Sequence, residues 1–202
     1  MSDLGAIVLA AGGSSRMGRP KQLLVYQNQT LIRHAVQSAA GAECNPVVVV
    51  LAPENPAIEN QIADLSIDVA INPNWQSGIG SSIRIGVRRL LELSPDLDAL
   101  LILLCDQPLI NAKLLERLIE TYRQSGKEVC ACSFAQTIGP PVIAGKRFFS
   151  LLMNLPDDRG AKELWLQHPE SLCTFACEEA ATDIDTSADY QRLSPLPEGE
   201  RE

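Results

Sequence analysis

Short apolar runs alternate with segments of helical periodicity along almost the whole chain. Continuous runs of about four to eight apolar residues indicate buried strands, whereas apolar residues three and four positions apart indicate amphipathic helices. The pattern predicts strands at 6–11, 47–51, 67–71, 98–104, 128–134, 172–176 and 182–184. It predicts helices at 30–42, 56–65, 83–93, 111–124, 148–155 and 158–167, and a terminal helix after Thr186. This alternation favours an α/β fold: a single-domain, doubly wound, mostly parallel sheet in a three-layer α/β/α arrangement.

Length and charge narrow the classes of protein to which this chain can belong. With 202 residues, 46% of them apolar, it can bury one core, so we expect one domain over 1–193 and a disordered tail over 194–202. The formal net charge of −8 argues against nucleic acid as a partner, since nucleic-acid binders usually carry a basic face. No apolar run approaches the roughly 20 residues of a membrane span, and the N-terminus lacks the basic opening of a signal peptide. We therefore expect a cytoplasmic protein without a membrane partner.

The six cysteines do not have the spacing of a structural zinc site. The pairs Cys130-x-Cys132 and Cys173-x3-Cys177 differ from the paired C-x2-C motifs of such sites. Four of the six lie in apolar, strand-like runs, where cysteine behaves as a small hydrophobic residue. We therefore expect reduced, mainly structural cysteines.

The clearest chemical motif is the stretch 12–21, GGSSRMGRPK, directly after the first predicted strand. Two glycines allow a tight turn close to a ligand, and two serines add hydroxyl donors. Arg16, Arg19 and Lys21 place three cations within six residues. Such a loop suits a polyphosphate, whose oxygens accept from backbone N–H groups and whose charge the cations offset. A plain βα turn with solvated basic residues is the alternative.

Neither of the two common phosphate motifs fits this loop. A P-loop needs Lys and Ser or Thr where this chain has Arg19 and Pro20. A dinucleotide fingerprint needs a G-x-G-x-x-G spacing, which these glycines do not have. The sequence therefore predicts a third type of phosphate-binding loop.

Carboxylates mark two further places in the chain. Asp106 follows the most apolar predicted strand, where a rigidly held carboxylate suits Mg²⁺; a helix cap or turn is the alternative. Asp183 and Asp185 lie on the last predicted strand and would face the same way, or act as ordinary capping residues. A second Gly/Ser loop precedes the helix at 83–93, which Ser81 or a neighbour would cap. Because ligands bind beyond the carboxyl ends of strands in such sheets, all these segments can share one crevice.

The first loop continues into further motifs that together resemble one family. The stretch LAAGGSSRMGRPKQLL is similar to the signature L-A-[AG]-G-x-S-x-R-M-G-x-x-K, and the likeness continues through NPNWQSGIGSSI, CDQP, GPPVI, DDRGA and DIDTSADY. These motifs resemble the molybdopterin nucleotidyltransferase family, and its molybdenum cofactor cytidylyltransferase branch in particular. The resemblance implies a Rossmann-like nucleotidyltransferase fold and an enzyme with Mg²⁺ as cofactor. It further implies transfer of CMP from CTP to molybdopterin with release of pyrophosphate, with a client molybdoenzyme as a further partner.

The resemblance also implies roles for residues by position. Nucleotide-binding residues would be Leu9, Ala10, Ala11, Gly12, Gly13, Ser14, Arg16, Lys21, Ser77, Gly78 and Ser82. The catalytic residues would be Arg16, Lys21 and Asp106, and the Mg²⁺ ligands would be Asp106 and Asp185. The acceptor-binding residues would be Gly139, Pro141, Asp158 and Gly160.

The nucleotide and the acceptor both have alternatives. The stretch 9–12, LAAG, combines the LAGG of the guanylyl-transferring branch with the TAAG of the cytidylyl branch, and Ala11 favours CTP. Pro140 stands where the family often has histidine, so another phosphorylated acceptor, such as a sugar or alditol phosphate, is an alternative. A non-catalytic nucleotide- or cofactor-binding accessory protein for molybdoenzyme maturation is a third hypothesis. The combination of cations and carboxylates favours an enzyme.

Overall fold

The structure is a computed structural model that describes residues 3–13 and 17–193. Its strands are β1 (Leu4–Leu9), β2 (Val25–Tyr26), β3 (Gln29–Thr30), β4 (Val47–Leu51), β5 (Asp68–Ile71), β6 (Ala99–Leu104), β7 (Val129–Phe134), β8 (Thr137–Gly145) and β9 (Leu172–Ala176). Its helices are α1 (Leu31–Gly41), α2 (Pro56–Glu59), α3 (Ile79–Leu93), α4 (Ala112–Ser125), α5 (Phe149–Met153), α6 (Lys162–Leu166) and α7 (Ser187–Leu193). The tail predicted at 194–202 lies outside the described residues.

Seven strands form one sheet in the order β5-β4-β1-β6-β8-β7-β9. β8 runs antiparallel to both its neighbours, while every other pair in this sheet is parallel. The expectation of a doubly wound, mostly parallel sheet is therefore confirmed. The sequence pattern did not predict β8, because Pro140 and Pro141 interrupt it and proline is rare in central strands. The two-residue turn at Ala135 and Gln136, with φ of 43° and 62°, reverses the chain into it.

Helices cover both faces of the sheet. α1, α2 and α4 pack on one face, where Ile32, Ile58 and Leu115 are buried. α3, α5 and α6 pack on the other face, where Ile83 and Trp165 are buried. Every residue of β1 and β4 is buried because these strands lie between the two helical layers. This accounts for their uninterrupted apolar sequences.

Several elements differ from the sequence pattern. The helix predicted at 56–65 is restricted to α2 and followed by turns. The helix predicted at 83–93 begins at Ile79 with Gly78 as its N-cap, so Ser81 lies in the first turn and does not cap it. The segment 182–184 is a loop and not the predicted strand. The N–H of Ile184 in this loop donates to the carbonyl of Asp106 (2.9 Å). The β2–β3 hairpin was not predicted.

The topology of the sheet opens a crevice at one edge. β1 lies between β4 and β6, and the chain passes through β4 and β5 on one side before it crosses to β6 on the other. Such a reversal of strand order leaves a crevice at the carboxyl ends of the strands. Gly12 and Gly13, which open the stretch 12–21 called the glycine loop below, follow β1, and Asp106 follows β6, so all three residues lie at this edge.

Two further expectations from the sequence concern the role of the cysteines and the length of the apolar segments. All six cysteines are free thiols, and five of them are buried, which agrees with a mainly structural role. Within the described residues, no helix has both the length and the apolar character needed to cross a bilayer.

Candidate functional site

The backbone that follows β1 is held in place by Gln22. Its amide nitrogen donates to the carbonyl oxygens of Ala10 (2.7 Å) and Gly12 (2.9 Å), and the residue is 3% exposed. These bonds connect the glycine loop to the 3₁₀ turn Lys21–Leu23. Buried carbonyl groups need partners, and the Gln22 side chain supplies them at the start of the loop. The N–H of Ala10 also donates to the carbonyl of Val50 (3.0 Å), so both contacts hold the loop in place.

Gly13 packs against Trp75 so closely that a larger residue does not fit without movement. A Cβ atom at Gly13 would lie 2.6 Å from Trp75 Cζ3. A Cβ atom at Gly12 would have nothing nearer than Lys21 Cε at 4.0 Å. Gly13 therefore permits the indole to pack beside the loop, whereas Gly12 has space around it.

Lys21 joins the glycine loop to two of the carboxylates that the sequence singled out. Its ammonium donates to Asp106 Oδ2 and lies 3.3 Å from Asp185 Oδ1. The side chains of Lys21 and Asp106 are only 15% and 14% exposed. Burial by itself lowers the pKa of Lys21, but the charge of Asp106 and its hydrogen bond outweigh burial and raise this pKa. Lys21 is therefore a cation at neutral pH.

Asp185 reaches Lys21 because the residue before it is anchored. Ile184 is fully buried, and its N–H donates to the carbonyl of Asp106 (2.9 Å). Asp183 and Asp185 thus approach Asp106 from a loop, which corrects the prediction of a strand there. The pKa of Asp183 is raised to about 6, first because its carboxyl is partly withdrawn from water and next because Asp106 is near.

Asp106 offers a carboxylate oxygen that suits a divalent cation. Its Oδ1 is buried and has no hydrogen-bond partner within residues 3–13 and 17–193, while Oδ2 is bonded to Lys21. The described residues contain no cluster of three or more metal-ligating side chains. Mg²⁺, however, is commonly bound by one or two carboxylates together with substrate phosphates. The donors therefore fit a metal that binds together with a phosphorylated ligand.

A cavity of about 360 Å³ lies beyond the carboxyl ends of β1 and β6, and it is called the larger cavity below because it exceeds a smaller cavity that adjoins it. Lys21 and Asp106 are on its wall together with most of the predicted nucleotide-binding residues: Leu9, Ala10, Ala11, Gly12, Gly13, Gly78 and Ser82. Ser77 is not among its wall residues. Ser14 and Arg16 lie outside the described residues. The described part of the glycine loop, the second Gly/Ser loop and Asp106 thus lie on the wall of the same cavity.

The second Gly/Ser loop is shaped by close packing against the segment before α6. A Cβ atom at Gly80 would lie 1.9 Å from the carbonyl oxygen of Pro156. Gly78 has a φ of 128°, which favours glycine. Ser82 is buried, and its Oγ accepts from the side-chain amide of Asn72 (2.9 Å). These contacts hold the N-terminus of α3 at the edge of the larger cavity.

A second cavity of about 170 Å³, called the apolar cavity below, adjoins the larger cavity. Two of the predicted acceptor residues, Gly139 and Gly160, line it, whereas Pro141 and Asp158 are not on its wall. The two cavities have wall residues in common from β1, α3 and β6, namely Leu9, Ile79 and Leu104. A ligand in the apolar cavity would therefore lie beside a ligand in the larger one.

Sequence reasoning did not single out four residues that shape these cavities. Gln22 and Trp75 form the surroundings of the glycine loop, and Lys162 and Trp165 line the apolar cavity. The available signals were weak: a polar residue in the run KQLL and a tryptophan within a Gly/Ser-rich stretch. Lys162 and Trp165 had the spacing of an ordinary helix.

The chain is similar to known proteins over almost its whole length. A profile of the MobA-like NTP transferase domain matches residues 6–172. Nicotine blue oxidoreductase from Paenarthrobacter nicotinovorans is 27% identical over 199 residues, which cover 93% of this chain and 94% of that protein. The crystal structure of Rv0371c from Mycobacterium tuberculosis H37Rv has a TM-score of 0.82 at 28% identity and covers 95% of this chain and 97% of its own. A complex of Rv0371c with manganese has a TM-score of 0.77 at 26% identity, with 95% and 98% covered.

Proposed function

Because this chain belongs to the MobA-like NTP transferase family, we propose that it is a Mg²⁺-dependent nucleotidyltransferase that moves CMP from CTP to molybdopterin and releases pyrophosphate. The observation that carries the proposal is the contact of Lys21 with Asp106 on the wall of the larger cavity. A cation and a carboxylate beside a glycine loop are what nucleotidyl transfer requires, since this chemistry depends on positioning and charge neutralisation.

The nucleotide would occupy the larger cavity, with its triphosphate on the glycine loop. Gly12 leaves room for phosphate oxygens to approach the backbone N–H groups. Lys21 would bind the α-phosphate and the leaving pyrophosphate, together with Arg16, to which the family resemblance assigns the same role. The loop with Ser77, Gly78 and Ser82 would face the base and the ribose.

The reaction itself needs no general base. A phosphate oxygen of the acceptor, already anionic at neutral pH, attacks the α-phosphorus in line and forms a new P–O bond. The bond from the α-phosphorus to the bridging oxygen breaks, and pyrophosphate leaves with that electron pair. The two histidines of the chain agree with this scheme: His34 is bonded to the carbonyl of Ile110 (2.9 Å), and His168 packs against Phe148.

Asp106 and Asp185 are the residues that would hold Mg²⁺, which when bound supplies Lewis-acid neutralisation of phosphate charge. Lys21 would then leave the position between these carboxylates, because its ammonium now contacts both. The triphosphate provides the ammonium with new anionic partners. Lys21 is thus able to move from the two carboxylates to the leaving group, whose charge it would stabilise. The manganese complex of Rv0371c supports a divalent cation in this scheme.

An assay of pyrophosphate release tests the proposal. Purified protein is supplied with Mg²⁺, molybdopterin and, in turn, CTP, GTP or ATP. We expect release with CTP only when both the acceptor and the metal are present. A preference for GTP or ATP would contradict the choice of CTP, and release with a sugar or alditol phosphate instead of molybdopterin would contradict the choice of acceptor. No release under any condition, despite tight nucleotide binding, would favour the accessory-protein hypothesis.

The relation to nicotine blue oxidoreductase supports a second candidate, which is oxidoreduction of an organic compound in the apolar cavity. This activity needs an electron donor, such as a reduced nicotinamide nucleotide. Oxidation of that donor in the presence of an organic oxidant, without pyrophosphate release from any NTP, would favour the second candidate over the first.

A further inference from the structure

Helix α7 and the residues just before it pack against the end of the glycine loop and the β2–β3 hairpin. Ile184 is fully buried there together with Leu24 and Leu31. Met17 from the glycine loop and Tyr190 from α7 pack against these three residues. The cluster is separate from the two cores on the faces of the sheet, and α7 itself has no buried residue. The helix is therefore held by a small number of contacts.

Tyr190 makes two of these contacts, one on each side of Lys21 in the sequence. Its hydroxyl donates to the carbonyl of Val25 in β2 (2.8 Å). Its ring lies beneath the guanidinium of Arg19, whose Cζ is 5.6 Å from the ring centroid. A cation at this distance is attracted by the negative face of an aromatic ring. Tyr190 thus connects α7 to the chain two residues before Lys21 and four residues after it.

The start of α7 is joined to Asp185 by a capping box. Asp189 Oδ2 accepts from the N–H (2.8 Å) and the hydroxyl (2.7 Å) of Thr186, and the N–H of Asp189 donates to Thr186 Oγ1 (3.2 Å). The same carboxylate oxygen accepts from the N–H of Asp185 (3.3 Å). Reciprocal bonds of this kind fix the first turn of a helix. The backbone of Asp185 therefore follows the position of α7.

Arg19 does not share the location of the other described cation of the glycine loop. Lys21 is on the wall of the larger cavity, whereas Arg19 is not among its wall residues and lies over Tyr190 instead. A phosphate in the larger cavity would therefore meet Lys21 and not Arg19. This separates two residues that the sequence placed together as partners of a polyphosphate.

We propose that Arg19 and Tyr190 form a latch that positions Lys21 and Asp185 for a metal–triphosphate complex, and that neither residue of the latch contacts this ligand. The inference rests on the proposed function, because a triphosphate occupies the larger cavity only if the chain binds an NTP. With α7 docked, the Lys21 ammonium and the Asp185 carboxylate are 3.3 Å apart before any ligand arrives. Groups that are ordered beforehand bind a ligand at a lower entropic cost.

Inorganic tripolyphosphate with Mn²⁺ tests the latch without a base, an acceptor or turnover. Calorimetry measures its binding to the parent protein, to Arg19→Met, to Tyr190→Leu and to the double variant. Each single substitution removes the same exposed cation–π contact and should weaken binding about fivefold. The double variant should bind about as well as Tyr190→Leu, because the second substitution has no contact left to remove.

A direct bond from Arg19 to phosphate would give a different result. The loss caused by Arg19→Met would then persist in the Tyr190→Leu background, and the two losses would multiply. Multiplied losses would overturn the inference. Unchanged binding in both single variants, or no binding of the probe to the parent protein, would overturn it as well.

A conservative variant and a matched control show whether the ring contact is responsible. Tyr190→Phe keeps the ring beneath Arg19 and loses only the hydroxyl, so its affinity for the probe should stay within about twofold of the parent. Arg147→Met, which removes an exposed arginine beside Glu128, should bind like the parent. A Tyr190→Phe protein as weak as Tyr190→Leu, or a loss in Arg147→Met equal to that in Arg19→Met, would contradict the latch.

Steady-state kinetics separate this inference from the proposed function. In the nucleotidyl transfer assay, Arg19→Met should raise the KM for CTP about fivefold and leave kcat close to its original value, because the latch acts on binding. If pyrophosphate release fails while the tripolyphosphate data show the expected coupling, the proposed function is wrong and the latch stands. If release occurs and the losses from Arg19→Met and Tyr190→Leu multiply, the latch is wrong and the proposed function stands.

Discussion

Lys21 and Asp106, 85 positions apart in the sequence, form an ion pair on the wall of the larger cavity. The same ammonium lies 3.3 Å from Asp185, so one cation links the two carboxylates that we propose as metal ligands. It offsets their mutual repulsion in the nucleotide-free protein. A metal and this ammonium therefore compete for the same negative charge, and a triphosphate relieves the competition by attracting Lys21.

Replacement of Lys21 with Met should strengthen Mn²⁺ binding to the nucleotide-free protein. The change removes the ammonium that competes with the metal for Asp106 and Asp185, so the dissociation constant of Mn²⁺ should fall about tenfold. Electron paramagnetic resonance of free Mn²⁺ measures this constant. Lys146→Met, which breaks a surface pair with Asp98, is the control. Weaker or unchanged Mn²⁺ binding in the Lys21→Met protein would contradict the competition.

Asp106→Asn should stop nucleotidyl transfer without unfolding the protein. The amide keeps the shape of the side chain but loses the charge that pairs with Lys21, so we expect kcat to fall about 10²- to 10³-fold. Circular dichroism and pyrophosphate release measure the two properties. Asp64→Asn, at the exposed partner of Arg33, should retain activity. Near-normal turnover in the Asp106→Asn protein would remove Asp106 from the mechanism.

Two neighbouring glycines should respond differently to the same substitution. In Gly13→Ala the new methyl group would lie 2.6 Å from Trp75 Cζ3, so either the loop or the indole has to move. We expect the free energy of unfolding, measured by urea titration, to fall by about 1–3 kcal/mol in Gly13→Ala and to change little in Gly12→Ala. Trp75→Leu should restore part of the stability of Gly13→Ala by making space. Equal losses at both glycines would contradict this explanation.

His34 should make the folding stability depend on pH. Burial lowers the pKa of His34 from its usual 6.5, although its hydrogen bond to the carbonyl of Ile110 acts in the opposite direction. The unfolded chain therefore takes up this proton at a higher pH than the folded protein. The free energy of unfolding should fall as the pH drops through about 6.5.

Urea unfolding of the wild type and of His34→Gln measures this dependence. Between about pH 8 and about pH 5.5 the variant should lose less of its free energy of unfolding than the wild type, because glutamine does not titrate. All other titrating groups are common to the two proteins and cancel in the difference. Equal losses in both proteins would show that His34 is not the source.

The hydrophobic pattern predicted the central strands β1, β4 and β6 because these strands are buried on both faces of the sheet. A strand covered on both sides has no polar alternation, and its uninterrupted apolar run is visible in the sequence. The glycine loop and Asp106 were located by the same reasoning, since they follow two such strands. β8 was not predicted, because two prolines interrupt its pattern and its pairing depends on a turn without the usual Asn-Gly signal.

The sequence by itself therefore determined the layered α/β architecture and the residue types that a phosphate site requires, because periodicity and local composition depend only on neighbouring residues. The tertiary structure decided which of these residues meet. It paired Lys21 with Asp106, placed Trp75 against Gly13, and put Trp165 and Lys162 on the wall of the apolar cavity. Such contacts join residues far apart in the chain, and they depend on how helices pack on the sheet, which no local pattern contains.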